Sequence, residues 1–230
     1  MKRQDPRLFY ADKSRPSGRA ASPARKSPPA PGAGTGKLTV ISGTYRGRKL
    51  AIPPGARPTQ QRARAAVMNM LGAALSGAAG GGMTVWDAFA GSGAMGIEFI
   101  SRFGARRAIF TDTDAGAIKC LRRNTENIPA CDILIKPQSA SGFVHELRRD
   151  TDGLIIFIDP PYSVPKAGAG LVEKLSKTAP AGAIVVWELE SGAANAADAL
   201  DAADGFEVLR DRVHGRARFL ILRKLPALPG

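Results

Sequence analysis

Asp159, Pro160, Pro161 and Tyr162 stand directly after five apolar residues, Leu154, Ile155, Ile156, Phe157 and Ile158. A run of this kind, rich in β-branched side chains and stopped by two prolines, predicts a buried parallel strand that ends where an open α/β sheet meets its ligands. Asp159 therefore belongs at a strand's carboxyl end. The residue before a proline is biased to extended backbone, and each proline fixes φ near about −65° and removes an amide donor. What remains is a carboxylate, carbonyls and an aromatic ring. That set suits a planar group offering N–H donors from its edge and a π face for stacking. On its own the stretch reads equally well as a Pro-Pro turn, with Asp159 solvated and Tyr162 in the core.

A second constellation lies upstream, where Val85, Trp86 and Asp87 lead through Ala88, Phe89 and Ala90 into Gly91-Ser92-Gly93-Ala94-Met95-Gly96. A strand running into glycines and then a helix fits a nucleotide-binding turn, because glycine lets the backbone approach a ligand closely. The spacing of Gly91, Gly93 and Gly96 satisfies the dinucleotide pattern, which is weak evidence alone. Asp87 separates the readings. A carboxylate just before the turn repels a pyrophosphate but attracts the amino and sulfonium charges of S-adenosylmethionine. Asp112, at the end of the next expected strand, can accept ribose hydroxyls.

These groups need a scaffold of alternating strands and helices. The pattern predicts strands over 83–87, 107–111, 133–135, 154–158, 183–188, 206–210 and 218–222. Helices are expected over 95–102, 115–124, 141–148, 169–177 and 193–200. Only a few residues around His214 and Gly215 separate the last two strands, so these should pair antiparallel. Ahead of the sheet, Leu38, Val40, Leu50 and Ile52 alternate around Gly43 and Gly47, which predicts a small hairpin carrying Arg46, Arg48 and Lys49. Thr59 is a candidate N-cap for a helix over 60–75 with Ala63, Val67, Met70, Leu71 and Ala74 on one face. Arg62, Arg64 and Asn69 lie off that stripe and, with Arg57, form an expected basic surface for phosphates. Gly80, Gly81 and Gly82 read as a joint before the sheet.

Composition sets the remaining bounds. The 230-residue chain has a formal net charge of +13 and a pI near 10.3, which favours an anionic partner such as nucleic acid or an acidic surface. Residues 1–36 are rich in Pro, Ala, Ser and Gly with interspersed Lys and Arg, and they are expected to be a disordered basic tail. The expected division is this tail, a phosphate-contacting hairpin and helix over 37–80, and a ligand-binding α/β domain over 81–230. Cys120 and Cys131 lack metal or disulfide-framework spacing, and His145 and His214 stand apart, so no metal is expected. With no apolar run of membrane-spanning length and no signal segment, a cytoplasmic protein without a membrane partner is expected.

Asp87-x-Phe89-x-Gly91-x-Gly93 followed by Asp159-Pro160-Pro161-Tyr162 resembles the class I S-adenosylmethionine-dependent methyltransferases that act on exocyclic amino groups of bases. More narrowly, Ile41-Ser42-Gly43-x-x-Arg46-Gly47-Arg48-Lys49-Leu50, Arg57-Pro58-Thr59 and Arg62-x-Arg64 before Asn69 resemble the RsmD-type 16S rRNA guanine-N2 methyltransferases. Phe89-Ala90-Gly91-Ser92-Gly93-Ala94-x-Gly96-x-Glu98 and Ser101-Arg102 continue the likeness, which runs from about residue 38 onward. It implies a Rossmann-like class I methyltransferase fold, a mostly parallel seven-stranded sheet with an antiparallel C-terminal hairpin strand, plus the small N-terminal extension. It also implies S-adenosylmethionine as cofactor, held by Asp87, Phe89, Ala90, Gly91, Gly93 and Asp112. The substrate it implies is 16S rRNA or the assembling small ribosomal subunit, contacted by Arg46, Arg48, Lys49, Arg57, Arg62 and Arg64. Gln61 and Ala65 stand where that family usually has acids. Gln138 with Ser139 is the nearest equivalent of its adenine-contacting Asp or Asn, and Asp112 replaces a ribose-binding Glu.

The expected catalytic set is Asp159, Pro160, Pro161 and Tyr162. A base amino nitrogen is a poor nucleophile because its lone pair is delocalised, so the site must orient it and localise that pair. Asp159 and the Pro160 carbonyl are expected to accept the amino protons and Tyr162 to stack on the base. Three other readings stand beside this one: adenine-N6 or cytosine-N4 methylation of DNA, an NAD-binding oxidoreductase, and a non-catalytic RNA-binding protein.

Overall fold

The apolar run over 154–158 is a strand, and all five of its residues are buried. The computed structural model describes residues 38–56, 61–75, 82–129, 131–147, 153–161, 164, 166–192, 199 and 201–226. In chain order it begins with the short strands β1 (Leu38–Thr39) and β2 (Lys49–Leu50), which pair antiparallel, Leu38 opposite Leu50. Helix α1 (Gln61–Ala74) follows. The repeating unit then starts with β3 (Thr84–Asp87), α2 (Ala94–Phe103), β4 (Arg107–Thr111), α3 (Ala115–Thr125) and β5 (Asp132–Lys136). After α4 (Ala140–Phe143) come β6 (Leu154–Ile158), α5 (Lys166–Thr178), β7 (Ile184–Glu190), β8 (Phe206–His214) and β9 (Ala217–Lys224).

The large sheet has seven strands in the order β5-β4-β3-β6-β7-β9-β8. Neighbours are parallel from β5 through β7, whereas β9 runs antiparallel to both β7 and β8. Chain order reverses between β3 and β6, so a crevice opens beyond the carboxyl ends of those two strands. Asp87 ends β3, and Asp159 immediately follows β6. One face of the sheet buries Val85, Phe157, Val186 and Phe219 against α1 and α2; the other buries Trp86, Ile156, Trp187 and Leu220 with Leu171 and Leu175 of α5. Strict alternation along buried strands thus makes two cores from one sheet.

Several elements differ from expectation. The helix expected over 141–148 is only one turn, Ala140–Phe143, capped by Ser139 and continued as a 3-10 turn over Val144–Glu146. Ser141 and Gly142 lie within that short helix, and both have poor helix propensity. Helix α1 is rotated relative to the expected stripe. Its buried residues are Ala63, Arg64, Val67, Met68 and Leu71, so Arg64 faces inward. Thr59, Arg57, Gly80, Gly81, the tail over 1–36 and most of the helix expected over 193–200 lie outside the described residues. Among the described residues, no helix is long and apolar enough to cross a membrane.

Candidate active site

The glycine turn is shaped by the acids around it. Gly91 and Gly93 adopt φ of 52° and 78°, a region that L side chains rarely enter. A Cβ on Gly93 would lie 2.8 Å from Leu121, and one on Gly96 2.6 Å from the Phe110 ring, whereas one on Gly91 would meet open space. The second and third glycines therefore serve close packing of α2, and the first leaves room above the turn. Asp112 accepts the Gly91 amide at 2.8 Å through one oxygen and the Asp114 amide at 2.9 Å through the other. Asp87 accepts the Gly96 amide at 3.0 Å and is only 3% exposed. Burial, followed by the like charges of Asp159 and Asp112, pushes its carboxyl up to about 8 against the lowering by the Gly96 amide. Three acids from three adjacent strand ends thus bias the crevice toward a cation.

Asp159 is half-buried, Pro160 is buried and Pro161 is exposed, with the Pro161 carbonyl accepting the Val164 amide at 2.9 Å. Tyr162 lies outside the described residues. Pro160 is seated by α5: a Cβ on Gly168 would lie 3.1 Å from the Pro160 ring and 2.6 Å from the Trp187 indole nitrogen. Phe89 is half-buried and Ala90 buried, and the Ala90 amide donates to the Thr111 carbonyl at 3.0 Å.

The hairpin is bonded directly to the helix that follows the glycine turn. Glu98 of α2, 1% exposed, accepts the Ile41 and Ser42 amides at 2.8 and 3.1 Å and pairs with Arg102 at 3.0 Å. Ser101 donates to the Ser42 carbonyl at 2.6 Å and accepts the Tyr45 amide at 2.9 Å. Gly43 lies so near that a Cβ would sit 1.8 Å from the Ser101 carbonyl oxygen. Asn124 of α3 makes a second junction, bonding both backbone groups of Ala51 and the Ser92 carbonyl. Replacing Glu98 by Ala would leave two amides and Arg102 without their acceptor, so urea unfolding at neutral pH is expected to show a loss of roughly 2–4 kcal/mol. A loss below about 1 kcal/mol would refute this junction's importance.

Among the residues expected to contact RNA, Arg46, Lys49 and Arg62 are exposed. Arg48 is half-buried and donates to the Glu126 carbonyl and, at 3.4 Å, to that of Asn127, which satisfies the carbonyl end of α3. Arg64 does not belong to that surface. It is 0% exposed, donates to the Thr39 carbonyl at 2.7 Å, and has its pKa lowered by burial against the raising charge of Glu98. Its role in the fold is to join α1 to β1, as Gln61 also does through the Thr39 hydroxyl at 2.9 Å. Gln138 is bonded to Glu146 at 2.7 Å, and Ser139 caps α4.

Glu188 belongs to none of the motifs described above. It is 8% exposed and lines a cleft with Asp159, Met95, Phe157, Ile158, Val186 and Phe219. Its signal was present, because it closes the apolar run Ile184–Trp187 as Asp159 closes its own.

The model of the family described as conserved hypothetical protein 95 matches residues 38–223. Ribosomal RNA small subunit methyltransferase D of Escherichia coli is 34% identical over 131 residues, which are 56% of this chain and 62% of that protein. The match thus spans less than two thirds of that relative's length. Among solved structures, yhhF from Escherichia coli is similar with a TM-score of 0.63 at 22% identity, over 83% of this chain and 99% of that one. Trm1 from Pyrococcus horikoshii in complex with S-adenosyl-L-methionine gives 0.61 at 16% identity, over 77% and 59% respectively. At these identities the structural likeness establishes the fold, the Rossmann-like class I methyltransferase architecture.

Proposed function

The chain belongs to the RsmD-type family that the conserved hypothetical protein 95 model describes, and from that premise we propose that it methylates the exocyclic N2 amino group of a guanine in 16S rRNA. S-adenosylmethionine is the proposed donor, and free 16S rRNA or the assembling small ribosomal subunit in the cytoplasm is the proposed carrier of the target. The observation that carries this reading is the meeting of Asp87, Asp112 and Asp159 at adjacent strand ends, with the glycine turn beside them.

The residues fit such a donor. Asp87 is a buried carboxyl whose ionisation a cationic ligand would restore, and Asp112 retains lone pairs for ribose hydroxyls beyond the two amides it accepts. Gly91 gives the ligand a backbone surface with open space above it. Gln138 and Ser139 border the turn after β5, where adenine would lie. When bound, S-adenosylmethionine supplies an electrophilic methyl group on a cationic sulfur. Asp159 and the Pro160 carbonyl accept the amino protons of the base, localise its lone pair and hold it in line, while Tyr162 stacks on the ring. Asp159 takes the proton that the nitrogen sheds after transfer. A base paired in a helix could not reach this crevice, so the target is unpaired or flipped out.

Arg46, Lys49 and Arg62, exposed on elements bonded to the cofactor helix, hold RNA phosphates at a fixed place relative to the crevice. Incubation with methyl-labelled S-adenosylmethionine and 16S rRNA or small subunits from cells lacking the protein tests the reading. N2-methylguanosine is the expected product by nucleoside mass analysis; N6-methyladenosine or N4-methylcytidine as the sole product, or binding of NAD in place of the methyl donor, would overturn it.

A further inference from the structure

We infer that the outer face of α3 is a second phosphate-binding surface, on which Lys119, Arg122 and Arg123 hold the RNA strand that runs between the hairpin and the crevice; this rests on the function proposed above. The three side chains are exposed and stand at i, i+3 and i+4 on one helix face, with neighbouring Cβ atoms about 5–6 Å apart. The opposite face buries Ala117, Ile118, Leu121, Asn124 and Thr125. No acid lies within α3, and among the described residues none of the three cations is in an ion pair. Other cations are matched: Arg107 with Asp132, Lys177 with Glu173, Arg216 with Glu190. Asp114, the acid at the N-cap, is engaged with the Ala117 amide at 2.6 Å.

Cations in the last turn of a helix ordinarily serve its carbonyl end. In α3 that task falls to Arg48, which donates to the Glu126 and Asn127 carbonyls, and Arg122 and Arg123 keep their donors for an external anion. Like charges three and four residues apart repel one another, and a row of phosphates over the face relieves that repulsion. The helix is also fixed to both parts the RNA must reach. Asn124 bonds Ala51, just after β2, and the Ser92 carbonyl of the glycine turn, while Asp112 ahead of α3 accepts the Gly91 amide. Pro54 lies over the start of the helix, 3.5 Å from where a Cβ on Gly116 would stand. The cationic face thus adjoins the hairpin that carries Arg46 and Lys49 on one side and the crevice on the other.

The test measures binding of the full chain to 16S rRNA from cells lacking the protein, over a series of salt concentrations. Lys119→Gln, Arg122→Gln and Arg123→Gln combined are expected to lower the slope of log K against log salt by about 2, since each phosphate contact on a single strand contributes about 0.7. Binding should weaken at least about tenfold at about 0.1 M salt. The KM for rRNA should rise with that loss and kcat fall by less, because the face touches phosphates and not the reacting atoms. Melting temperature and S-adenosylmethionine affinity should stay near wild type, since all three side chains are exposed and Gln suits a helix. Lys174→Gln, Lys177→Gln and Arg216→Gln combined remove the same charge elsewhere, two of them from α5 on the other face of the sheet. That control is expected to change the slope by less than about 0.5.

An unchanged slope in the folded α3 variant, or an equal loss in the control, overturns the inference and leaves the proposed function standing. If the triple variant does not fold, Lys119→Gln alone decides: a slope lower by about 0.7 supports the inference, and an unchanged one overturns it. Wild-type protein that does not bind 16S rRNA, or makes no N2-methylguanosine in it, overturns the proposed function and this inference together.

Discussion

Replacing Asp159 by Asn is expected to lower single-turnover methyl transfer to rRNA by about 10²–10⁴-fold, while S-adenosylmethionine affinity changes only a few-fold. The carboxylate has two oxygens that accept N–H bonds, and it carries the charge that stabilises an amino nitrogen becoming positive during transfer. An amide keeps one acceptor, but it can turn its own N–H₂ toward the substrate amino group and offers no negative charge. Asp159 also adds to the like-charge field that raises the Asp87 carboxyl, so its neutralisation eases ionisation of Asp87. That effect acts to keep donor binding intact and separates chemistry from cofactor loss. Asp159→Glu retains the charge but moves it by about 1 Å, a misplacement that can itself cost about 10²-fold. Full activity in Asp159→Asn, with calorimetry confirming donor binding, would remove Asp159 from the reaction.

The strands that carry the acids were readable because they are buried on both faces. β4 and β6 coincide with their expected bounds, since nothing but apolar content bounded by breakers is needed to mark a central parallel strand. Asp87 and Asp159 could then be placed at strand ends from local sequence. What the local pattern could not supply was long-range pairing. Arg64 looks like a surface charge on a helical wheel, yet the Thr39 carbonyl and the charge of Glu98 draw it inward. Arg48 similarly turns from an expected phosphate contact into a cap for α3, because the carbonyls it serves lie 78 and 79 residues away. Glu98 and Ser101 were visible only as parts of a resemblance. Their function depends on amides from residues 41–45, a separation no periodicity reports. Glu188 escaped for a different reason: its strand end carries no proline punctuation, so an acid there reads as the ordinary edge of a strand.

Binding of S-adenosylmethionine is expected to release a proton at neutral pH and to tighten by up to about tenfold per pH unit as pH rises toward about 8. The cause is Asp87. Its carboxyl, ordinarily ionised above about 4, titrates at about 8 in the fold because burial opposes its charge. A group whose folded value is raised stabilises the protein fully below its unfolded value and loses that contribution as pH climbs through the folded one. Asp87 therefore makes the ligand-free protein less stable between about pH 4 and pH 8, by up to ~1.4 kcal/mol per pH unit, and adds no further slope above that. A cation placed beside the carboxyl reverses the balance, pulling its pKa down and expelling the proton. Donor-induced stabilisation should consequently grow across the same window in which the unliganded protein weakens. Asp87→Asn retains an oxygen for the Gly96 amide but has no proton to exchange. It is expected to flatten the stability profile of the unliganded protein, to bind the donor at least about tenfold more weakly near pH 8, and to abolish the protein's share of proton release. Calorimetry in buffers of different ionisation enthalpy measures that release, and subtracting the variant from wild type cancels the titration of the donor's own amine. Equal proton release in both proteins would show that Asp87 keeps one protonation state through donor binding, and the linkage between its carboxyl and the donor's charge would be refuted.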